Sequence, residues 1–191
     1  MKKILALAAI AMLSTACSTA PLEQPLEPIR FTQPPMRVSV AQVRIENLTP
    51  ALPNAVDAQM PTPPAAAITQ WVNDRLVAGG SSGYMVVTIQ NASMLEQKLP
   101  KTEGMKGFFT DDQDAKYAGS MVVDFRLFDG ISTTPVAQAS VNVARGRSIN
   151  EKATLAERER FYHQLVADMM QAFNGEAETQ LRRFMGTYLS Y

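Results

Sequence analysis

The chain has 191 residues, with 18 basic and 18 acidic side chains and a formal net charge of zero. This length suits one folded domain plus a tether, and it is enough to bury a core. A nucleic-acid partner would require an excess of basic residues on one face, so the composition argues against one. The single cysteine, Cys17, excludes an intramolecular disulfide and any zinc site built on thiolates, and we expect no metal and no other cofactor.

Residues 1–16 predict a signal peptide. Two lysines precede an apolar run from Ile4 to Leu13, which is about half as long as a membrane-spanning helix requires. The small residues before Cys17 resemble the bacterial lipoprotein box, in which the cysteine receives acyl chains such as palmitate and becomes the mature N-terminus. Ser14 departs from that pattern, because leucine is usual at its place. Cleavage between Ala16 and Cys17 leaves 175 residues with 16 basic and 18 acidic side chains.

Residues 17–35 predict a proline-rich tether that starts at the lipidated Cys17. Five prolines favour extended chain, which at roughly 3 Å per residue reaches up to about 50 Å from the anchor. Each buried methylene contributes about 0.8 kcal/mol, so a multiply acylated cysteine stays in its membrane. Ser18 in place of aspartate resembles enteric lipoproteins sorted to the outer membrane. We therefore expect an outer-membrane anchor with the protein facing the periplasm, and we expect Ile29 and Phe31 to dock locally.

Residues 36–191 predict a single α+β domain with a long C-terminal helix. The predicted elements, in chain order, are a strand over 36–47, an irregular proline-rich connection over 48–64, a helix from Thr62 to Gly79-Gly80, a strand over 84–92, a polar excursion over 99–116, strands over 117–128 and 136–147, and a helix from Thr154 onward. A bulge near Ala41 and Gln42 would reconcile the parity of the valines in the first strand. Trp71 is expected to face the core.

The two strands over 117–128 and 136–147 show the clearest pattern. Apolar residues alternate with polar ones in both, which indicates antiparallel strands with one wet face, and Asp129-Gly130 supplies a turn between them. The last helix opens with a capping box at Thr154 and Glu157, and Asn174-Gly175 is a place where it kinks or divides. The prediction is a two-layer sandwich of order β-α-β-β-β-α, in which two helices cover one face of a four-stranded, largely antiparallel sheet.

Three patterns that suggest chemistry have simpler interpretations. The run Gly79 to Gly83 matches the G-x-S-x-G pattern of serine hydrolases, but that motif requires a strand before it and a helix after it, and here a helix comes first. The only histidine, His163, is predicted on a charged helix surface near Glu159. The carboxylates at 111, 112 and 114 lack the glycine and distal glutamate of a calcium loop. We therefore expect no enzyme.

Two sets of apolar side chains are candidates for contact with a partner or a membrane. Phe108 and Phe109 lie in the polar excursion, away from an obvious core. Phe184, Met185 and Tyr188 lie near the end of the last helix, which is long enough to overhang a small sheet and to pack on a neighbouring subunit. A homo-oligomer is thus possible. The alternative is that this helix end packs on the chain's own tether or sheet.

The whole layout resembles the ABC-type transport auxiliary lipoproteins, which are partners of MCE-type phospholipid transporters. The resemblance covers roughly residues 36–184 and rests on the order of elements and on the segments YMVVTIQNA, YAGSMVVDFRLFDG, VAQASVNVARGRS and FYHQLVADMMQAFNGEAETQL. It implies a non-enzymatic accessory protein that binds an MCE protein in the cell envelope. The connection over 48–64 and the excursion before Tyr117 depart from the usual pattern.

Two other functions remain open at this point. One is a lipoprotein activator of a peptidoglycan synthase or another envelope-assembly lipoprotein, such as the plug of lipopolysaccharide export, although the usual Cys-Gly-Phe opening of that plug is missing here. The other is a lipid-binding carrier. A carrier requires an apolar cavity between sheet and helices, whereas an adaptor has a filled core and an exposed apolar patch.

Overall fold

A computed structural model describes residues 25–98 and 114–190 of the chain. The predicted signal peptide, Cys17, Phe108 and Phe109 lie outside these residues. The described strands and helices are Met36–Val38 (β1), Gln42–Asn47 (β2), Pro64–Arg75 (α1), Leu76–Ala78 (β3), Tyr84–Lys98 (β4), Asp114–Phe128 (β5), Ala137–Asn150 (β6), Leu155–Met185 (α2) and Leu189–Ser190 (β7). Two short 3-10 turns, Asp57–Gln59 and Gly186–Tyr188, complete the regular structure.

The main sheet has four strands in the order β2-β4-β5-β6. β4, β5 and β6 are antiparallel neighbours, and β2 runs parallel to β4 along the edge. Helices α1 and α2 pack on one face, α1 mainly on β4 and α2 mainly on β6. The predicted fold class, a two-layer α+β sandwich with a largely antiparallel four-stranded sheet, is confirmed.

The alternating pattern of β5 and β6 places their apolar residues against the helices. Met121, Val123 and Phe125 are fully buried, while Ser140 and Asn142 of β6 are exposed on the other face. The turn between the strands forms as predicted, because the Asp129 carboxylate accepts hydrogen bonds from two following backbone N–H groups. Gly130 in this turn has φ +87°, a conformation that favours glycine.

The first predicted strand is two strands in different sheets, and the bulge predicted near Ala41 and Gln42 is wrong. The chain leaves β1 at residue 39, where the Ser39 N–H donates to the Tyr188 carbonyl, and enters β2 at residue 42. β1 is the centre of a second, three-stranded sheet of order β3-β1-β7. The change of parity in the sequence therefore marks a change of sheet. A break in register occurs in β4 instead, between Ile89 and Asn91.

Helix α1 is shorter than predicted at both ends. It begins with Pro63 as its N-cap and has no side-chain cap, and it ends at Arg75 instead of at Gly79-Gly80. Leu76 is extended (φ −117°, ψ 122°), and β3 pairs in parallel with β1. Residues 76–78 therefore pair with β1 as a strand and do not form the last helical turn that the sequence predicts.

Helix α2 has the predicted capping box and runs without a break for 31 residues. Asn174 and Gly175 do not divide it. The Asn174 side chain accepts a hydrogen bond from the Trp71 indole N–H at 2.8 Å, and the space beside Gly175 is open. None of the described helices combines the length and apolar character needed to cross a membrane.

The core lies between the main sheet and the two helices. Trp71 is buried as predicted, with its ring edge-on to Phe125 and Phe173 at centroid distances of 6.1 and 5.2 Å. The irregular connection adds Val56 and Met60 to this core. A single bridge between Ala55 and Leu95 attaches the connection to the edge of β4 beyond β2.

Candidate interaction surface

The structure separates the three predicted contact residues near the end of α2. Phe184 is 51% exposed, whereas Met185 is 1% exposed and belongs to the core. Tyr188 is half-buried in the 3-10 turn after the helix, where its carbonyl accepts the hydrogen bond from Ser39. Only Phe184 therefore presents most of its ring to solvent, with the Arg183 guanidinium carbon 5.1 Å from the ring centroid.

Phe184 lines a cleft of about 500 Å³ beside strand β6. Gln180 and Phe184 come from α2, and the opposite wall consists of residues 124–126 of β5 and residues 138–140 of β6. The cleft therefore lies between the last turns of α2 and strands β5 and β6.

Polar groups on the β5 wall of this cleft are unequally satisfied. The Asp124 carboxylate accepts a hydrogen bond from Gln90 at 2.9 Å. The Arg126 guanidinium donates through one terminal nitrogen to the Thr88 hydroxyl at 3.0 Å, but its buried Nε–H has no hydrogen-bond partner. An unpaired buried donor of this kind is energetically costly.

The outer edge of β6 is unusual in its first half. Within the described residues, β6 pairs with β5 alone, in 14 consecutive registered pairs without a bulge. Residues 137–144, with the sequence AQASVNVA, contain neither a charged residue nor a proline. Proteins normally protect long edge strands with charges, prolines or bulges, because an unprotected edge pairs with other strands. The opposite edge strand β2 has six residues and carries Arg44 and Glu46.

Residues 25–35 pack on the domain across the two helices. Arg30 binds the Asp74 carboxylate of α1 through two nitrogens, at 3.0 and 2.9 Å, and the Phe31 N–H donates to the same carboxylate at 3.2 Å. Ile29 and Phe31 pack against the core, as predicted. The predicted tether is therefore partly docked.

The electrostatics of this attachment centre on two carboxylates. Burial alone would raise the pKa of Asp74, but hydrogen bonds from Arg30, the Phe31 N–H and Gln70 outweigh that effect and lower the pKa. The hydrogen bond from Arg182 lowers the pKa of Glu178, and the nearby charge of Arg75 acts in the same direction.

Arg75 is the buried centre of the attachment. Its side chain is 1% exposed, and it donates to the Pro34 carbonyl and, at 3.0 Å, to Glu178. One guanidinium thus connects the N-terminal segment, α1 and α2.

His163 lies on α2 beneath the docked N-terminal segment. With Asn174 and residues 27–31 and 33 it lines a cleft of about 370 Å³. The serines of the Gly79 to Gly83 run lie elsewhere, in the connection between β3 and β4, where the Ser82 carbonyl accepts a hydrogen bond from Ala41. The structure thus separates the histidine from the serines of the formal hydrolase motif.

Sequence reasoning selected Phe184, which is exposed in the structure, but missed the two features around it. The sequence shows that residues 137–144 contain no charged side chain. This would have indicated an unprotected edge if the order of the strands had been known. Arg126 gave no signal, because an arginine on a wet sheet face is ordinary. The pairs formed by Arg30 and Arg75 join residues more than 40 positions apart, so no local pattern reveals them.

No protein-family model matches the sequence, and no curated protein matches it. Among solved structures, a minor lipoprotein from Acinetobacter baumannii is 13% identical with a TM-score of 0.37, covering 75% of this chain and 94% of that one. A putative neuraminyllactose-binding hemagglutinin homolog from Helicobacter pylori is 10% identical with a TM-score of 0.42, covering 83% and 96%.

The rare lipoprotein B from Shewanella oneidensis is 10% identical with a TM-score of 0.36, and the match covers 72% of this chain and 92% of that one. Two of these three similar structures are lipoproteins by description. Scores and identities of this size assign neither a family nor a function to the chain.

Proposed function

We propose that this protein is a lipid-anchored, non-enzymatic envelope protein that acts through protein contacts as an accessory subunit of a lipid transport system. The proposal of a lipid anchor is supported by the apolar run and the small residues before Cys17. The proposal of a role in lipid transport is supported by the resemblance of residues 36–184 to MCE-associated lipoproteins. The observation that carries the accessory role is the uncharged first half of the β6 edge, which has no strand partner among the described residues and lies beside the exposed Phe184.

The packing of the core favours an adaptor over a lipid carrier. The space between the main sheet and the helices is occupied by large side chains that are all below 2% exposure, among them Trp71, Phe125, Phe173, Met85, Ile89 and Met121. An acyl chain in that place would have to displace several of them. The cleft at Phe184 is open to solvent, lies at the margin of this layer and is lined by both polar and apolar residues.

The test is crosslinking of the full-length, lipidated chain in the intact envelope of its own host, followed by affinity purification and mass spectrometry. The matched control is the same chain with Phe184→Ser, which removes the exposed ring and leaves the core residues unchanged. Recovery of an MCE protein or its ATPase complex that depends on Phe184 supports the proposal. Recovery of a peptidoglycan synthase would support the activator alternative instead, and recovery of lipid without protein would support a carrier.

A further inference from the structure

We propose that residues 27–33 form a strap that docks reversibly on helices α1 and α2, and that a partner bound to the domain releases the strap, so that the domain reaches further from its anchoring membrane. This inference rests on the lipid anchor and the accessory role proposed above, and it specifies how that role is regulated. A segment that opens locally without unfolding the domain is held by few contacts, buries little surface and ends at a firm attachment. The strap has these three properties.

The strap is held by few hydrogen bonds, and they converge on one side chain. Arg30 donates to both carboxylate oxygens of Asp74, and the Phe31 N–H donates to the same group. The Arg30 side chain is itself 60% exposed, so water competes for this ion pair. Release of the strap therefore breaks mainly the contacts of one carboxylate.

The strap buries little apolar surface. None of residues 25–33 is fully buried, and Ile29 and Phe31 are half-buried against the core. The fit to α2 is incomplete, because a cleft of about 370 Å³ remains between the strap and the helix, beside His163 and Ala167. The buried Nδ1 of His163 has no hydrogen-bond partner within the described chain, so the docked strap leaves this atom unsatisfied. A loosely packed interface of this kind loses little attraction when it opens.

The strap ends at a firm attachment. The Pro34 carbonyl accepts a hydrogen bond from Arg75, whose side chain is 1% exposed and also binds Glu178. Met36, two residues later, is fully buried in β1. Opening of the strap therefore stops at Pro34 and leaves the domain intact.

Release of the strap lengthens the free tether. With Ile29 docked, residues 18–28 are free and reach about 33 Å at roughly 3 Å per residue. With the strap released, residues 18–33 are free and reach about 48 Å. A partner held between these two distances from the membrane binds only the released form, so its binding energy shifts the equilibrium toward release.

The test follows the accessibility of α2 beneath the strap. Ala167→Cys places a thiol in the cleft, and Gln164→Cys places one on an exposed position of the same helix as a control. Cys17 of the lipidated protein carries no free thiol, so the introduced cysteine is the only one that reacts. Each full-length chain is treated in the intact envelope of its own host with a stilbenedisulfonate maleimide. Thiols that have not reacted are then counted after denaturation by a gel shift with PEG-maleimide.

The first comparison tests the docking itself, with the purified lipidated protein in vesicles of phosphatidylethanolamine and phosphatidylglycerol. Asp74→Asn should increase the reaction rate at position 167 about tenfold, because it removes the charge that holds Arg30. Asp124→Asn removes a hydrogen-bonded carboxylate from the wet face of the sheet and should leave that rate unchanged. Neither substitution should alter the rate at position 164. Equal effects of the two substitutions, or equal effects at positions 164 and 167, overturn the proposal.

The second comparison tests whether a partner releases the strap. The rate at position 167 should be at least about fivefold higher in the envelope than in the vesicles, which contain no partner. Ten Gly-Ser residues inserted after Ala20 lengthen the docked reach by about 30 Å, so the partner can then bind without opening the strap. The insertion should therefore lower the envelope rate to the vesicle rate. An envelope rate that equals the vesicle rate, or that the insertion does not lower, overturns the proposal.

The outcomes also separate this inference from the proposed function. If crosslinking recovers a protein outside lipid transport and the envelope rate falls with the insertion, the strap stands and the transport role fails. If an MCE protein is recovered and the envelope rate does not depend on the length of the tether, the transport role stands and the strap fails.

Discussion

At the scale of single residues, the most consequential side chain is Arg75. Its guanidinium is buried, carries a full charge and joins Glu178 to the carbonyl of Pro34. A buried charge is tolerated only when its partners remain in place, so removing one partner leaves the other groups unpaired. The Glu178 carboxylate also forms an ion pair with Arg182, an exposed residue one helical turn later.

Arg75→Met should lower the free energy of unfolding by about 2–3 kcal/mol, because it leaves the Pro34 carbonyl without its donor and Glu178 without its buried partner. In thermal unfolding this corresponds to a decrease in Tm of about 5–10 °C. Arg182→Met is the matched control, since it removes an arginine that is 52% exposed from the same carboxylate. That variant should change stability by less than about 0.5 kcal/mol. Equal effects of the two substitutions would contradict the central role of Arg75.

At the scale of elements, the docked N-terminal segment and helix α2 show how distant parts of the chain hold each other. Residues 25–35 have no regular secondary structure, and they stay in place through Arg30, Phe31 and the carboxylate of Asp74. Helix α2 relies on a capping box, a buried stripe and the contact between Trp71 and Asn174. The segment therefore depends on a few polar contacts and on the packing of Ile29 and Phe31, whereas the helix depends on extensive burial.

Asp74→Asn should release the N-terminal segment, because it removes the charge that binds Arg30. Trypsin cleavage after Arg30 is expected to become at least about tenfold faster, as local opening becomes about 1.4 kcal/mol easier. Asp168→Asn, which affects a longer and exposed ion pair with Arg147 at 3.4 Å, serves as control and should leave cleavage unchanged.

The attachment should also depend on pH. The hydrogen bonds from Arg30, Phe31 and Gln70 hold the pKa of Asp74 in the folded protein below its ordinary value of 3.8, so its stabilising contribution is present above about pH 4 and is lost as the pH falls through the lowered pKa. Cleavage of the native chain by an acid-active protease within residues 25–35 should accordingly increase below pH 4. An unchanged pattern between pH 3 and pH 6 would show that Asp74 does not hold the segment.

Two glycines provide opposite predictions about the elements that contain them. Gly175→Ala should stabilise α2 by about 0.5–1 kcal/mol, because the helix continues through this position and the added methyl group meets no atom within 4 Å. Gly83→Ala should destabilise the protein by more than about 2 kcal/mol. Gly83 has φ +72°, and a Cβ there would lie 2.3 Å from the Phe128 carbonyl oxygen. Urea unfolding of both variants checks the signs, and a loss of stability in Gly175→Ala would indicate that the helix bends at this point.

At the scale of the whole molecule, the sequence predicts what is periodic and misses what depends on distant pairing. Strands β5 and β6 were predictable because alternation over a dozen residues defines both the strand and its buried face. The sheet of β1, β3 and β7 was not, because strands of two or three residues have no period and their partners lie in three separate parts of the chain. For the same reason α1 was predicted one turn too long.

The candidate surface shows the same division. Phe184 could be identified as a possible contact residue from its place on a long helix, but its neighbour Met185 was grouped with it and is buried. Buried residues of α2 recur at intervals of four up to Leu181 and Met185, so helical periodicity places Met185 on the buried face and Phe184 outside it. To recognise β6 as an unprotected edge strand, one must know the strand order, and the strand order is a property of the whole sheet.

Cys17→Ser should convert the protein from a membrane-bound into a freely dissolved form, because no acyl chains can then be attached. Fractionation of cells and metabolic labelling with palmitate measure this directly, and the variant should lose both the label and sedimentation with membranes. Ser18→Asp is the control that keeps the lipid. It should remain labelled while its distribution between inner and outer membrane changes. Retention of Cys17→Ser in the membrane pellet would contradict the proposed anchor.

The docking of residues 25–35 changes how far an anchored domain can reach. Ile29 is the first residue of this segment that packs on the core, so at most residues 18–28 separate Cys17 from the docked chain. At roughly 3 Å per residue these eleven residues reach about 33 Å, against about 50 Å for the whole predicted tether. Because the volume available to the domain scales with the cube of this reach, the shorter reach raises the effective concentration of the domain for a partner at the same membrane surface about threefold. Release of Arg30 from Asp74 would dilute the domain by the same factor.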